Sequence, residues 1–330
     1  MVEKKFDVIH IGEANHDIRV PEVPDAFFTG TIETGLVGRI SDGCGGDAQN
    51  QAICTAALGD HCAFYGRVSS GYPGPRLKML LEAAGVDTSL MILADDCVTS
   101  DILCLILKDG HHRFLTGERR CWGLRDREID PGIFASARAL SIGSLYGLDS
   151  LDRDGAKPLE AILKTCREAG TLTVADMNLD MYRLGPRHYD GIYRYIDYVI
   201  PSLDEAAYVT GERDERRMAD YFLEKGAAHA IIKLGGEGCY VRSREAAFYQ
   251  DPFDIRPVDT TGCGDNFTGG LVHALLKKAP LEQAVLFASA TAALHATGIG
   301  SSGVVRSEEM VREFMKTTKT RRIERQHSLT

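Results

Sequence analysis

The 330-residue chain has nine cysteines but no C-x-x-C pair, which removes the common zinc and dithiol signatures. Cys44, Cys54, Cys62, Cys97, Cys104, Cys121, Cys166, Cys239 and Cys263 are scattered, several inside apolar runs such as Ile102 to Leu107. That is the pattern of reduced, buried thiols rather than of a disulfide framework. No apolar run approaches the roughly 18 residues that span a membrane. The opening MVEKKFDVIHIG lacks the apolar core of a signal peptide, so the expected location is cytoplasmic. Basic charge is scarce as well. A net charge of -9 argues against nucleic acid as the main partner. A nucleotide remains open, because helix termini and one metal ion can neutralise a triphosphate locally. Two nucleotide fingerprints are missing. No G-K-[ST] occurs, and Gly235, Gly236 and Gly238 miss the G-x-G-x-x-G spacing with no helix after them. A dinucleotide-dependent oxidoreductase is set aside on that ground.

What is present suits one large α/β domain: 44% hydrophobic and 26% charged residues, without repeats or a long linker. FDVIHI (Phe6 to Ile11) reads as a buried strand, and Ala63 to Val68 as another. Helical spacing follows Gly46 to Leu58 and recurs over Leu77 to Ala84. From Arg138 the rhythm is strand then helix: ALSIG, Leu159 to Glu168, TLTVAD, Tyr189 to Tyr195, YVIP, Met218 to Lys225, AIIKLGGEGCYV, and helices after Asp265 and from Leu281 to His295. Such alternation predicts a mostly parallel sheet covered on both faces. Two strand-rich insertions, about 15–43 and 98–122, break the rhythm, the second around an Asp109-Gly110 turn. They predict a small sheet outside the main body. The tail from Met315 to Thr330 is expected to be a frayed end.

Three glycine-rich stretches carry the chemistry. DTTGCGDNFTGG (Asp259 to Gly270) opens directly into an apolar helix. A helix start presents free N–H groups and partial positive charge, and glycines let that backbone approach an anion. Asp265 could be a plain N-cap there, or a carboxylate acting on whatever binds. KLGGEGCYV (Lys233 to Val241) is a hairpin, or a backbone surface for the flat and anionic parts of a nucleotide. GCGGDAQNQAICTAALG (Gly43 to Gly59) is a second glycine entry to a helix, with Asn50 and Gln51 one turn in. Their amides suit hydroxyl recognition, or merely satisfy the helix start.

Together these stretches resemble the ribokinase-like (PfkB-type) carbohydrate kinases. DTTGCGDNFTGG is similar to that family's D-T-T-G-A-G-D-x-F signature, and GGDAQNQAICTAALG to its G-G-x-x-x-N-x-A…L-G element. A segment ending in Asp17 precedes both, and the KLGGEG turn stands between them, in the family's order. The resemblance covers about Asp7 to Val305. It implies a ribokinase-like α/β fold with a central, mostly parallel sheet and a small β lid built from the two insertions. It also implies ATP-dependent phosphorylation of a hydroxyl, with Asp265 as general base and the N–H groups of Thr261, Gly262, Cys263 and Gly264 as anion hole. Asn15, Asp17, Gly46 and Asn50 match sugar contacts. Lys233, Leu234, Gly235, Gly236, Glu237 and Gly238, with Gly264 and Ser289, match the nucleotide site. Glu205 matches a magnesium residue acting through water. Asp259, Thr261 and the loop from His295 to Val304 match a monovalent-cation (K+) site, although Val304 replaces the usual serine.

Two departures bear on the substrate and the metal. Ser202 stands where the family's N-x-x-E element has asparagine, and Asp180 stands where arginine is common. Asp47, after the Gly45-Gly46 bend, likewise replaces a frequent lysine. Two carboxylates in place of cations point to a neutral sugar or polyol, unless Arg113, Arg119 or Arg120 of the lid supplies the charge. A nucleoside or sugar phosphate is the alternative substrate, and a non-catalytic sugar or nucleotide sensor the alternative role. Phe27, Phe28, Ile102, Leu103, Leu105 and Ile106 make the lid too apolar to stand alone, which predicts a homodimer through it.

Overall fold

The computed structural model describes residues 3–107, 112–117 and 124–324. Asp109, Gly110, Arg119, Arg120 and Trp122 lie outside these residues, as does the tail beyond 324. The central sheet has eight strands. In spatial order they are Ala247–Gln250, Cys239–Ser243, His229–Lys233, Tyr198–Ile200, Leu172–Met177, Ala137–Leu145, Phe6–Ile11 and Cys62–Tyr65. The last six run parallel, and the first two form an antiparallel edge reached through the glycine turn. Successive side chains of a strand face opposite layers, and Phe6–Ile11 shows the consequence. Val8 packs into the layer of helices Asp47–Ala57, Cys263–Leu276 and Leu281–His295, whereas Ile9 and Ile11 join the layer of Arg153–Glu168 and Glu215–Glu224. His10, buried in the first layer, has Nε2 2.9 Å from Thr55 Oγ1 on helix Asp47–Ala57.

The two insertions build one four-stranded sheet in the order Ser41–Gly45, Asn15–Val23, Asp101–Leu107, His112–Thr116. Asn15 pairs with Gly45 and His16 with Asp101, so the root of this lid adjoins the start of helix Asp47–Ala57.

Four local readings are corrected. Ala63 to Val68 is not one strand: after Gly66 the chain leaves the central sheet, and Arg67–Ser69 pairs with Ile92–Ala94. Tyr189 to Tyr195 forms only a single 3-10 turn, Tyr193–Tyr195. Gly191 and four aromatic or β-branched residues give that stretch little helical preference. Among the described residues Cys44, Cys54, Cys62, Cys104, Cys166 and Cys263 are free thiols, but Cys97 is disulfide-bonded. Disulfide pairing depends on Cα separation and side-chain direction in the fold, which spacing along the chain does not show. The tail is ordered well past Met315. Ser307 caps helix Glu308–Thr317 by accepting from Met310 N, and residues 319–321 then pair with 252–254.

Candidate active site

Parallel strands deliver their C-terminal ends to one edge of the sheet, where ligands settle in open α/β folds. Asp176 near the end of Leu172–Met177, Lys233 at the end of His229–Lys233, and Ser202 just past Tyr198–Ile200 meet there. Helices Asp47–Ala57 and Cys263–Leu276 start over the same edge. These groups line a cavity of about 820 Å³, the size of a nucleotide site.

The start of helix Cys263–Leu276 depends on Gly262. Its φ is 75°, and a Cβ there would stand 2.1 Å from the Ser301 carbonyl oxygen, so only glycine fits. The Thr261 N–H donates to Asp259 Oδ1 at 2.9 Å, and the Cys263 N–H to Thr260 O at 3.2 Å. This corrects the expected hole of four donors: the loop consumes two of them internally. Gly262, Gly264 and Asp265 hold the remaining orphan N–H positions of the helix start. Cys263 lines the cavity, but burial pushes its thiol up to about 12, which leaves it inert.

Asp265 is 8% exposed, and its Oδ2 accepts from Asn50 Nδ2 at 2.8 Å. Burial pushes this carboxyl up to about 8, with the charge of Asp176 adding to the shift; the Asn50 hydrogen bond and the Lys233 ammonium oppose it. Lys233 Nζ lies 2.5 Å from Asp176 Oδ1, and Asp176 Oδ2 accepts from Thr268 Oγ1 at 2.8 Å. The same ammonium stands 3.3 Å from where a Gly264 Cβ would be. The turn therefore sends its one cation back to the helix mouth, a placement the glycine pattern alone does not reveal.

Gly235, Gly236, Gly238, Gly264 and Ser289 line the cavity with Lys233. Leu234 and Glu237 do not: Leu234 packs on the hydrophobic core and Glu237 is exposed. On the other side of Asp265, Asn15, Asp17, Gly46 and Asn50 gather. Asn15 Nδ2 is 3.3 Å from the Cβ position of Gly46, whose φ of 88° bends the chain into the helix. Asp17 Oδ2 accepts from Ser301 Oγ at 3.4 Å, and burial pushes Asp17 up to about 6. Asn50 Oδ1 is buried without a hydrogen-bond partner, an acceptor held for an incoming donor. Arg19, which sequence reasoning passed over, places its guanidinium beside Gly43 and Gly300 and donates to Asp42 O at 3.1 Å.

The departures resolve differently. Ser202 and Glu205 form a capping box: Ser202 N donates to Glu205 Oε2 at 2.6 Å and Glu205 N to Ser202 Oγ at 3.4 Å. Both still line the cavity with Asn178, giving it the oxygen donors that Mg2+ takes. Asp47 lines the cavity, and burial together with Asp265, Asp176 and Glu13 holds its carboxyl well above the usual range. Asp180 is not on the cavity. It accepts from Leu184 N, Gly185 N and Tyr208 Oη, so its part in the substrate argument is withdrawn: those three donors hold it in its own loop. Arg113 is exposed on the lid strand.

The residues matched to a K+ site are tied to one another by hydrogen bonds within the loop. Asp259 accepts from Thr261 N through Oδ1 and from Gly300 N at 2.9 Å through Oδ2. The Thr261 carbonyl accepts from His295 Nε2 at 2.9 Å, and a fully buried imidazole fills the space beside it. Val304 brings no side-chain oxygen.

Comparison with known proteins agrees with this architecture. A ribokinase from Haemophilus influenzae is 24% identical over 324 residues, covering 96% of this chain and 99% of the relative. A 2-dehydro-3-deoxygluconokinase from Bacillus subtilis is 25% identical over 326 residues, covering 96% and 97%. Among solved structures, Arabidopsis thaliana ribokinase complexed with ribose and ATP superposes with a TM-score of 0.76 at 21% identity, over 96% of this chain and 99% of that one. The profile of the pfkB family carbohydrate kinases matches residues 5–307. With the ribokinase-like sheet, the lid and the helix-start aspartate in place, the chain belongs to the pfkB family of ATP-dependent carbohydrate kinases.

Proposed function

We propose that this kinase transfers the γ-phosphoryl group of ATP to a hydroxyl of a small neutral sugar or polyol, with Asp265 as general base. The observation that carries the reading is the shared position of Asp265. It lies between the Asn15, Asp17, Gly46 and Asn50 cluster on one side and the Lys233 to Gly238 turn on the other. A sugar hydroxyl is a poor nucleophile, and a carboxylate within about 3 Å takes its proton as attack proceeds. Charge then spreads over the transferred group. The orphan N–H groups at Gly262 and Gly264 and the Lys233 ammonium face the place where it develops. Magnesium, held through water by Glu205, Asn178 and Ser202, would neutralise the phosphates. Neutrality of the substrate rests on Asp47 and Asp17, which offer an anionic group no positive partner and whose raised carboxyls suit hydrogen bonding to hydroxyls. No step requires K+.

Arg19 favours a second substrate class, a sugar acid whose carboxylate pairs with the guanidinium next to Asp17. ATP consumption with ribose, fructose and inositol, with their phosphates, with a nucleoside and with 2-dehydro-3-deoxygluconate separates these cases. The neutral reading requires the highest kcat/KM on an uncharged acceptor. A phosphorylated sugar or a nucleoside as best substrate refutes it, and a sugar acid lost on Arg19→Ala establishes the second reading. Absence of turnover on every acceptor, with ATP still bound, would leave a sensor.

A further inference from the structure

The family match ends at residue 307, yet the chain beyond it reaches the nucleotide cavity. Helix Glu308–Thr317 is anchored by Val311, which is fully buried, and by Phe314, whose ring centroid lies 5.3 Å from that of Phe253. The chain then runs antiparallel to 252–254. Asp254 N donates to Lys319 O at 2.9 Å, Arg321 N donates to Pro252 O at 2.7 Å, and Thr320 bridges Phe253. This pairing fixes the Cα of Arg321 at the cavity rim. Its Nη2 donates to the Gly236 carbonyl at 3.0 Å, so the guanidinium is pinned to the glycine turn. The neighbouring wall is Phe253, Ile255, Ala292 and Ala293, a surface for a flat ring rather than for phosphate.

We propose that Arg321 is a nucleotide-binding residue supplied by the C-terminal segment, its guanidinium stacking on the purine base of ATP. The inference rests on the reading of this cavity as the ATP site. A guanidinium is planar and weakly hydrated, and it stacks on π faces where an ammonium does not. Anchoring one edge on Gly236 removes part of the entropy cost of ordering so long a side chain.

The test uses the full chain, a non-hydrolysable ATP analogue, and inorganic tripolyphosphate as a probe without a base. Arg321→Ala should weaken the analogue about tenfold and tripolyphosphate less than twofold, as a stacking contact predicts. Arg321→Lys should not restore affinity. Arg321→Gln retains a donor for Gly236 and separates tail docking from stacking. Weakened analogue binding at wild-type melting temperature supports the proposal, and recovered binding overturns it. Equal affinity of Arg321→Ala and wild type for the analogue overturns it, as does an equal loss for both probes. Failure of the wild type to bind the analogue removes the cavity reading and the inference together.

Discussion

Asp265 shows what burial does to a working side chain. Its carboxyl is raised to about 8, and a general base acts only when ionised, so kcat/KM should climb with pH through that value. Asn50 supports the ionised form, and Asn50→Ala should move the acid limb to higher pH. A pH-rate profile with an unmoved limb would refute the assignment. Asp265→Asn should lower turnover about 100-fold or more while sparing analogue binding. The same shift has a cost in stability. A carboxyl whose folded pKa exceeds its unfolded one stabilises the protein fully below about pH 4 and loses that contribution as pH rises through about 8. The melting temperature of Asp265→Asn should therefore gain on the wild type between pH 4 and 8 and hold its lead above. Calorimetry across that range checks the sign.

At the scale of elements, the two glycine-rich helix starts do different jobs. Gly46 bends the lid strand into a helix that carries Asn50, and Gly262 turns the chain into the helix that carries Asp265. The loop around the second start is tied from within by Asp259 and His295. Turnover should be the same within about twofold in K+ and in a bulky organic cation, because the buried His295 ring already occupies the space beside the Thr261 carbonyl. His295→Ala frees the Thr261 carbonyl and should introduce stimulation by K+. Several-fold activation of the wild type by K+ would contradict this arrangement. The Ser202 to Glu205 element illustrates how legible such local devices are: S-x-x-E is a capping-box pattern on its face, and the structure uses it as one while keeping both residues on the cavity.

For the whole molecule, the lid leaves Phe27, Phe28, Leu36, Ile40, Phe114 and Leu115 exposed. Singly exposed apolar residues need no account, but two on the lid's edge strand and four more in the segment joining its first two strands do. We expect a homodimer through the lid, and light scattering at micromolar concentration should show it. Phe114→Glu with Leu115→Lys should give monomers. Leu105, which the apolar pattern also offered, is buried at 9% and would report unfolding rather than dissociation. A wild-type monomer at that concentration excludes the lid dimer.

Periodicity and turn chemistry already contained the alternating strands and helices, the two lid insertions and the three glycine elements, because each is a local pattern of a few residues. They also marked Asp265, Asn50 and Lys233 as worth watching. What they could not contain is direction across space. Asp47 and Asp180 are equivalent departures along the chain; folding turns the first into the cavity and hands the second to Leu184, Gly185 and Tyr208. Lys233 looked like part of a backbone surface until Asp176 drew its ammonium to the helix mouth. Arg321, on a tail with nothing but charge to mark it, becomes a wall of the cavity through backbone pairing with 252–254. Local propensity is written in neighbours along the chain, whereas the partner of a charge is chosen by packing between segments far apart in it, and only the tertiary structure makes that choice.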